Sequence, residues 1–317
     1  MANIKRLRNK SIGVIRTILA KLISLNLQYY YFECSVIFMN VMLRGSTLYA
    51  CEMYYNLKES EIRAIERIDE SYMRQVLKTT RGCPITQLYL EMGQIPARFE
   101  IQKMRLLYMR YILQQSDDSL INRFFKLQLE FPQKGDWAST CLNDLKQLKI
   151  EESLSEIKLM TKNKFRNILK ERIKENALKY LISKRGSKGK EIPYANIEMS
   201  EYLLPTNRNL SIEDKRKMFA IKNRMVKIPS NFPKPNIEYF CVCGRTENMI
   251  HIYNCEILSR EKPKLSFENI FTGNIREQIE VMRRFEDNLQ MRDEIIVEKE
   301  SKSPCDPSVI RCLVSNG

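Results

Sequence analysis

Pro96-Ala-Arg-Phe-Glu-Ile-Gln-Lys-Met-Arg-Leu-Leu-Tyr-Met-Arg-Tyr-Ile-Leu-Gln-Gln115 is the stretch that sets the fold class. Pro96 suits a helix start, because the N–H it lacks has no partner in the first turn anyway. Phe99, Met104, Leu107, Tyr108 and Tyr111 recur at helical spacing and predict the apolar face. Arg98 and Arg105 stand seven apart, as do Lys103 and Arg110, so two basic stripes are expected to flank that face. Such stripes suit contacts to phosphates, and equally a solvated helix exterior.

The helical period continues on both sides. Residues 11–55 read as one or two largely buried helices broken near Gly45-Ser46. Ser60 is the expected N-cap of a helix carrying Ile62, Ile65, Ile68, Tyr72, Val76 and Leu77. Arg81-Gly82-Cys83-Pro84 ends it, glycine as cap and proline as block. A short helix through Leu88, Tyr89 and Leu90 closes at Gly93. Past Asp117-Asp118 and Ser119, residues 119–150 hold another amphipathic helix, the loop Pro132–Asp136 and Trp137, read as a core anchor. Residues 154–182 are again helical and basic. Ser211 starts a further helix, with Asp214 at the capping-box position, and Pro229 ends it. Ile275, Ile279, Met282, Phe285 and Leu289 mark a terminal amphipathic helix. With only 10 glycines and short alternating patterns, the chain reads as mainly α.

The net charge is +15, from 53 Lys and Arg against 38 Asp and Glu. It is concentrated before residue 259, and the remaining tail is close to neutral. A basic body of this size favours a polyanion, nucleic acid by default. The densest basic segment is Ser183-Lys-Arg-Gly-Ser-Lys-Gly-Lys190. Lys184, Arg185, Lys188 and Lys190 sit there on a Gly/Ser backbone with nothing to pack, which predicts a mobile, phosphate-seeking loop. The helix after Ser211 adds Lys215, Arg216, Lys217, Lys222 and Arg224. Leu25–Leu43 is apolar enough to raise the question of a membrane span. Gln28, Glu33 and Asn40 interrupt it, so a buried helix is the expectation, with no membrane partner.

Nine cysteines and one histidine complete the inventory. Cys34, Cys51, Cys83 and Cys141 stand singly among apolar residues, which suits reduced core thiols and an intracellular compartment. Cys241-Val-Cys243-Gly244 and, further on, His251-Ile-Tyr-Asn-Cys255 are different. Thiolate and imidazole are the ligands zinc prefers, Gly244 allows a tight knuckle, and His251 and Cys255 share one face of a helical turn. The set Cys241, Cys243, His251 and Cys255 reads as a closed structural Zn2+ site with no open position for a substrate. The competing reading is one buried histidine beside unrelated thiols. Cys305 and Cys312 are further thiols in a tail expected to fray.

Enzyme signatures are absent. There is no Gly-x-x-x-x-Gly-Lys-Ser/Thr and no Gly-x-Gly-x-x-Gly, and the only Asp-Asp, at 117–118, follows a helix end rather than joining two apolar strands. Two-metal nucleotidyl transfer needs clustered carboxylates, so no catalytic residue is assigned.

Several motifs then fall in a recognisable order. They are Ser46-Thr-Leu-Tyr-Ala-Cys-Glu52, Ile65-Glu-Arg-Ile-Asp69, Met73-Arg74, Leu88-Tyr-Leu-Glu-Met-Gly93, Ile95-Pro-Ala-Arg98, Tyr111-Ile-Leu113, Asp136-Trp137 and the Cys/His cluster. Together they resemble the segment after the polymerase palm in non-long-terminal-repeat (LINE-like) retrotransposon reverse transcriptases, over roughly residues 11–258. The resemblance implies a helical thumb-like region over 1–150, a basic helical linker over 151–228, a zinc-knuckle-like module over 229–258, and a terminal amphipathic helix with tail over 259–317. It also implies binding to RNA, DNA or an RNA–DNA duplex, in the nucleus, without polymerisation by this chain alone, since fingers, palm and endonuclease are missing from it. The chain departs from that family in its first ligand pair, Cys-x-Cys where Cys-x-x-Cys is expected, and in Lys222-Asn-Arg-Met225 where Arg-x-Arg-Met is expected. A host-recruited nucleic-acid-binding protein and a helical protein-interaction scaffold are the alternative readings.

Overall fold

The computed structural model describes residues 2–25, 27, 30–79, 82–184, 210–226, 228, 231, 239–259 and 261–302. Among them the chain is mainly helical, with a single isolated antiparallel bridge between Phe240 and Thr246. No helix among the described residues is long and apolar enough to cross a membrane. The chain divides into two compact units, the first ending near residue 212 and the second formed mostly by Glu213 onwards.

The first unit is laid down as α1 (Ala2–Ser24), α2 (Tyr31–Phe38), a π-helical stretch Met39–Arg44 running into α3 (Gly45–Thr47), a 3-10 turn Cys51–Met53, α4 (Glu59–Val76), α5 (Ile85–Glu91), α6 (Ala97–Leu113), α7 (Leu120–Glu130), α8 (Trp137–Gln147), α9 (Leu154–Leu159) and α10 (Lys162–Ser183). The break in the first helical region falls elsewhere than expected. Gly45 keeps a helical φ of −56°; instead α1 stops at Ser24, α2 starts at Tyr31, and the chain turns at Ala50, whose φ is +55°. Helix α4 begins one turn-fraction earlier than Ser60: Lys58 is its N-cap, and its N–H donates to the Glu61 carboxylate at 3.0 Å.

Helix α6 is the axis of this unit, packed by α4, α7, α8, α9, α10 and the 3-10 turn. That surround explains why its apolar face differs from the expected one. Ile101, Leu106, Met109, Ile112 and Leu113 are buried along with Phe99, whereas Met104 and Tyr111 are exposed. An enclosed helix buries nearly its whole circumference, so no single polar stripe remains to be read from spacing. The core joins Phe99, Leu106 and Met109 of α6 to Phe125, Trp137, Cys141 and Leu145, and then to Phe165, Leu169, Ile173 and Ala177 of α10. Trp137 anchors it as the sequence predicts, its Nε1–H donating to the Glu52 carbonyl at 2.8 Å. Because α10 completes this core, residue 150 is not a boundary between packed units: α9 and α10 of the expected linker share the bundle's hydrophobic centre, while the last part of that linker, α11, falls in the second unit. Cys51, Cys83 and Cys141 are buried and outside any disulfide, with Cys34 half-buried.

The second unit contains α11 (Ile212–Lys222), the Cys/His loop, α12 (Met249–Asn254), α13 (Asn269–Thr272) and α14 (Ile275–Lys302). Val281, Met282 and Phe285 of α14 are buried, as are Ile252, Tyr253, Phe267 and Ile270; α14 packs against α12 and α13, and the Phe267 ring touches those of Tyr253 and Phe285. The expected knuckle module and terminal helix are therefore parts of one body.

Candidate metal centre

The Cys/His loop is built from backbone turns. The N–H of Gly244 donates to the Cys241 carbonyl at 2.8 Å, closing a turn over Val242 and Cys243, and the N–H of Cys241 donates to the Arg245 carbonyl at 2.8 Å. Gly244 has φ +84°, a region costly for residues with a Cβ. The chain returns through the Phe240–Thr246 bridge, with the Glu247 N–H on the Tyr239 carbonyl at 2.8 Å. Asn248 then caps α12, its Oδ1 accepting from the His251 N–H at 2.8 Å. One helical turn carries His251 and Cys255 to the same side as the knuckle.

The result is a single cluster. Ligand atoms of Cys241, Cys243, His251 and Cys255 lie within 4.8 Å of one another and could hold a metal ion. Cys241 and Cys255 are buried, their sulfurs 3.8 Å apart, and Cys243 Sγ lies 3.1 Å from His251 Nε2. The closely spaced Cys-x-Cys pair is thus compatible with convergence of both sulfurs. Burial pushes the Cys241 thiol up to about 12, with Cys255 and Cys243 adding to the rise. Burial also acts to raise Cys243, but the Arg245 backbone N–H and the neighbouring thiols outweigh it and hold that group below its usual value. Burial first, then Arg245, lowers His251, which favours the neutral imidazole that ligates metals. A dication beside the buried Cys241 sulfur would offset the cost of its ionisation.

The loop is clamped by α14 through residues that the sequence did not single out. Arg292 Nε pairs with Glu247 at 2.6 Å, both nearly inaccessible to water. Asn288 Nδ2 donates to the carbonyls of Ile252 at 2.8 Å and Tyr253 at 3.1 Å, which α12 leaves without partners at its C-terminal end. Arg284 lies over the Tyr253 ring, 5.5 Å from its centroid. Arg284, Asn288 and Arg292 are spaced by four, one stripe of α14, and that spacing was the only signal available.

No family model, curated protein or solved structure matches this chain.

The expected nucleic-acid-binding cations are scattered in their environments. Arg98 is held by Glu66 at 2.6 Å and Glu59 at 2.7 Å and stacks on Tyr180 at 4.4 Å. Lys103 pairs with Glu100. Arg105 is buried against Asp144 at 2.5 Å and the Tyr54 carbonyl at 2.8 Å. Arg110 is buried with its guanidinium on the Met160 carbonyl. Arg105 and Arg110 are therefore internal braces, because the helix is enclosed and a buried cation must be paired, while Arg98 and Lys103 are half-buried and ion-paired. Lys215 is likewise only 1% exposed, whereas Arg216 pairs with Glu213 at 2.9 Å and Lys217 with Glu286 at 3.0 Å. Lys222 is half-buried and Arg224 exposed. Lys184 is exposed beside Tyr180, 5.5 Å from its ring centroid. Arg185, Lys188 and Lys190, with the expected mobile loop, lie outside the described residues, as do Cys305 and Cys312.

Gly244→Ala tests the knuckle at small scale. Nothing lies within 4 Å of an added Cβ, so the cost is backbone strain alone. That strain is about 1–2 kcal/mol. Metal affinity, measured by competition with a chromogenic chelator, should fall roughly 5- to 30-fold; unchanged affinity would mean the turn does not constrain the cluster.

Proposed function

We propose that this chain is a nucleic-acid-binding protein related to the region following the palm of non-long-terminal-repeat reverse transcriptases, stabilised by one structural zinc ion and not polymerising alone. The observation that carries the reading is the Cys3His cluster folded onto a strongly basic helical chain. Zinc is favoured by ligand type, three thiolates and one imidazole, and the sulfur spacing fits a tetrahedral site. Tetrahedral Zn–S bonds of about 2.3 Å set two sulfurs about 3.8 Å apart, and Cys241 and Cys255 stand at 3.8 Å. Cys241, Cys243, His251 and Cys255 would fill all four positions, so the ion would brace the loop rather than activate a water. A nuclear location belongs to the same proposal.

The test is a salt titration of the zinc-bound full chain with labelled DNA duplex, RNA–DNA duplex and single-stranded RNA. Each neutralised phosphate contributes about 0.9 to the log–log slope on duplex DNA. A slope of at least about 4 in magnitude is expected, with weak dependence on sequence. No binding even at low salt would favour the scaffold reading. An in-frame palm encoded directly upstream in the genome would favour the retrotransposon relationship over a host-recruited binder.

A further inference from the structure

We infer that the flank of α10 bearing Lys162, Arg166, Lys170 and Lys174 is a docking surface for a nucleic-acid phosphate backbone. This rests on the nucleic-acid reading above and gives it a location that differs from α6. Helix α10 buries Phe165, Leu169, Ile173, Ala177 and Leu181, each four residues after the last. The four cations follow the same four-residue step and are all exposed. At 100° per residue two columns with one step drift together around the helix, so the cations stay beside the buried stripe along their whole length. Each step rises about 6 Å and the column spans about 18 Å. That length covers roughly five phosphates of one duplex strand at about 3.4 Å each. Lysine and arginine stems take up the remaining mismatch in spacing.

The charge on this flank is not cancelled locally. Glu171 and Glu175 fall on the side of α10 opposite the core, and Glu175 is engaged by Lys179 at 2.5 Å and Arg172 at 3.7 Å. None of Lys162, Arg166, Lys170 and Lys174 has an ion-pair partner among the described residues, in contrast to Arg44, Arg63, Arg98 and Arg105 of the same unit. Four like charges held in a row disfavour one another unless an anion lies across them. The apolar stripe of α10 is already in the core, so this helix offers no face to insert into a lipid surface. Its packing on α6 also fixes the column as a rigid template.

The test compares the zinc-bound full chain with the variant Lys162→Gln/Arg166→Gln/Lys170→Gln/Lys174→Gln, using a short DNA duplex, a single-stranded RNA and phosphatidylserine vesicles. The salt slope on duplex should flatten by about 3.6, and affinity near physiological salt should drop on the order of 100-fold. A control variant at ion-paired surface lysines, Lys126→Gln/Lys179→Gln, should bind almost as the parent does. In the parent protein, bound duplex should protect Lys162, Lys170 and Lys174 from acetylation, a readout independent of how the variant folds. Parental binding and slope in the fourfold variant, or acetylation at those lysines unaffected by duplex, overturns this location while leaving the nucleic-acid reading standing. Loss of vesicle binding with nucleic-acid binding intact overturns it in favour of a membrane surface. A parent that binds no nucleic acid overturns both.

Discussion

Replacing Cys255 with serine, or stripping the metal with a chelator, should melt residues 239–258 while the first unit stays folded. Structural zinc contributes about 10–16 kcal/mol of apparent binding free energy near neutral pH in small zinc modules, and most of that becomes folding free energy. Within the segment itself there are only two turns, one bridge and the short helix α12, and its outside support is the clamp from α14. Zinc content should fall from about one ion per chain towards none. Amide exchange should accelerate in the loop and the α14 segment facing it. The core of α6, α8 and α10 shares no residue with the site and should keep its protection. Acid should act as the chelator does, because thiolates that gain protons release metal. Metal-free protein with an unchanged spectrum and unchanged exchange would refute the assignment.

Arg292→Ala should be the most damaging substitution in the second unit that leaves every metal ligand in place. Glu247 and Arg292 are 1% and 6% exposed at the side chain, so removing the guanidinium strands a buried carboxylate. Such a loss costs about 3–5 kcal/mol. A double change, Glu247→Leu with Arg292→Met, removes both charges and should recover most of that stability, since apolar replacement of a buried pair is often neutral or better. Urea unfolding of the zinc-bound protein, followed by amide exchange at residues 247–258, measures both variants. A single variant as stable as the parent would show that water reaches Glu247 and screens it.

The two halves of the molecule differ in how far they could be read from sequence. The Cys/His cluster was legible because all four candidate donors lie within one short segment and their chemistry is distinctive. Helix class was legible from period, the end of α5 from Gly93 and the start of α6 from Pro96, whereas α4 stops at Val76, before Gly82, where Lys78 turns the chain with a φ of +50°. Orientation was not. The spacing of Phe99, Met104 and Tyr111 picked one face of α6, but α6 is enclosed by several helices, and burial on all sides erases the contrast that periodicity depends on. The same enclosure turned Arg105 and Arg110 from candidate phosphate contacts into internal braces on Asp144 and the Met160 carbonyl, partners 39 and 50 residues away. Helix α10 buries one stripe, Phe165 to Leu181, and leaves much of its remaining surface exposed. Its cations were legible as a basic stretch, but their alignment in one column needed the buried stripe as a reference.

The clamp on the metal loop has a consequence for the order of assembly. Every donor, from Cys241 to Cys255, precedes Arg284, Asn288 and Arg292 in the chain. Loop-closure entropy grows only slowly with length, so donors so near each other meet at low cost. A growing chain thus presents a complete set of ligands before any of α14 exists. Metal capture can precede the arrival of the clamp, and the free carbonyls at the end of α12 then await it, a template on which the last long helix is laid down.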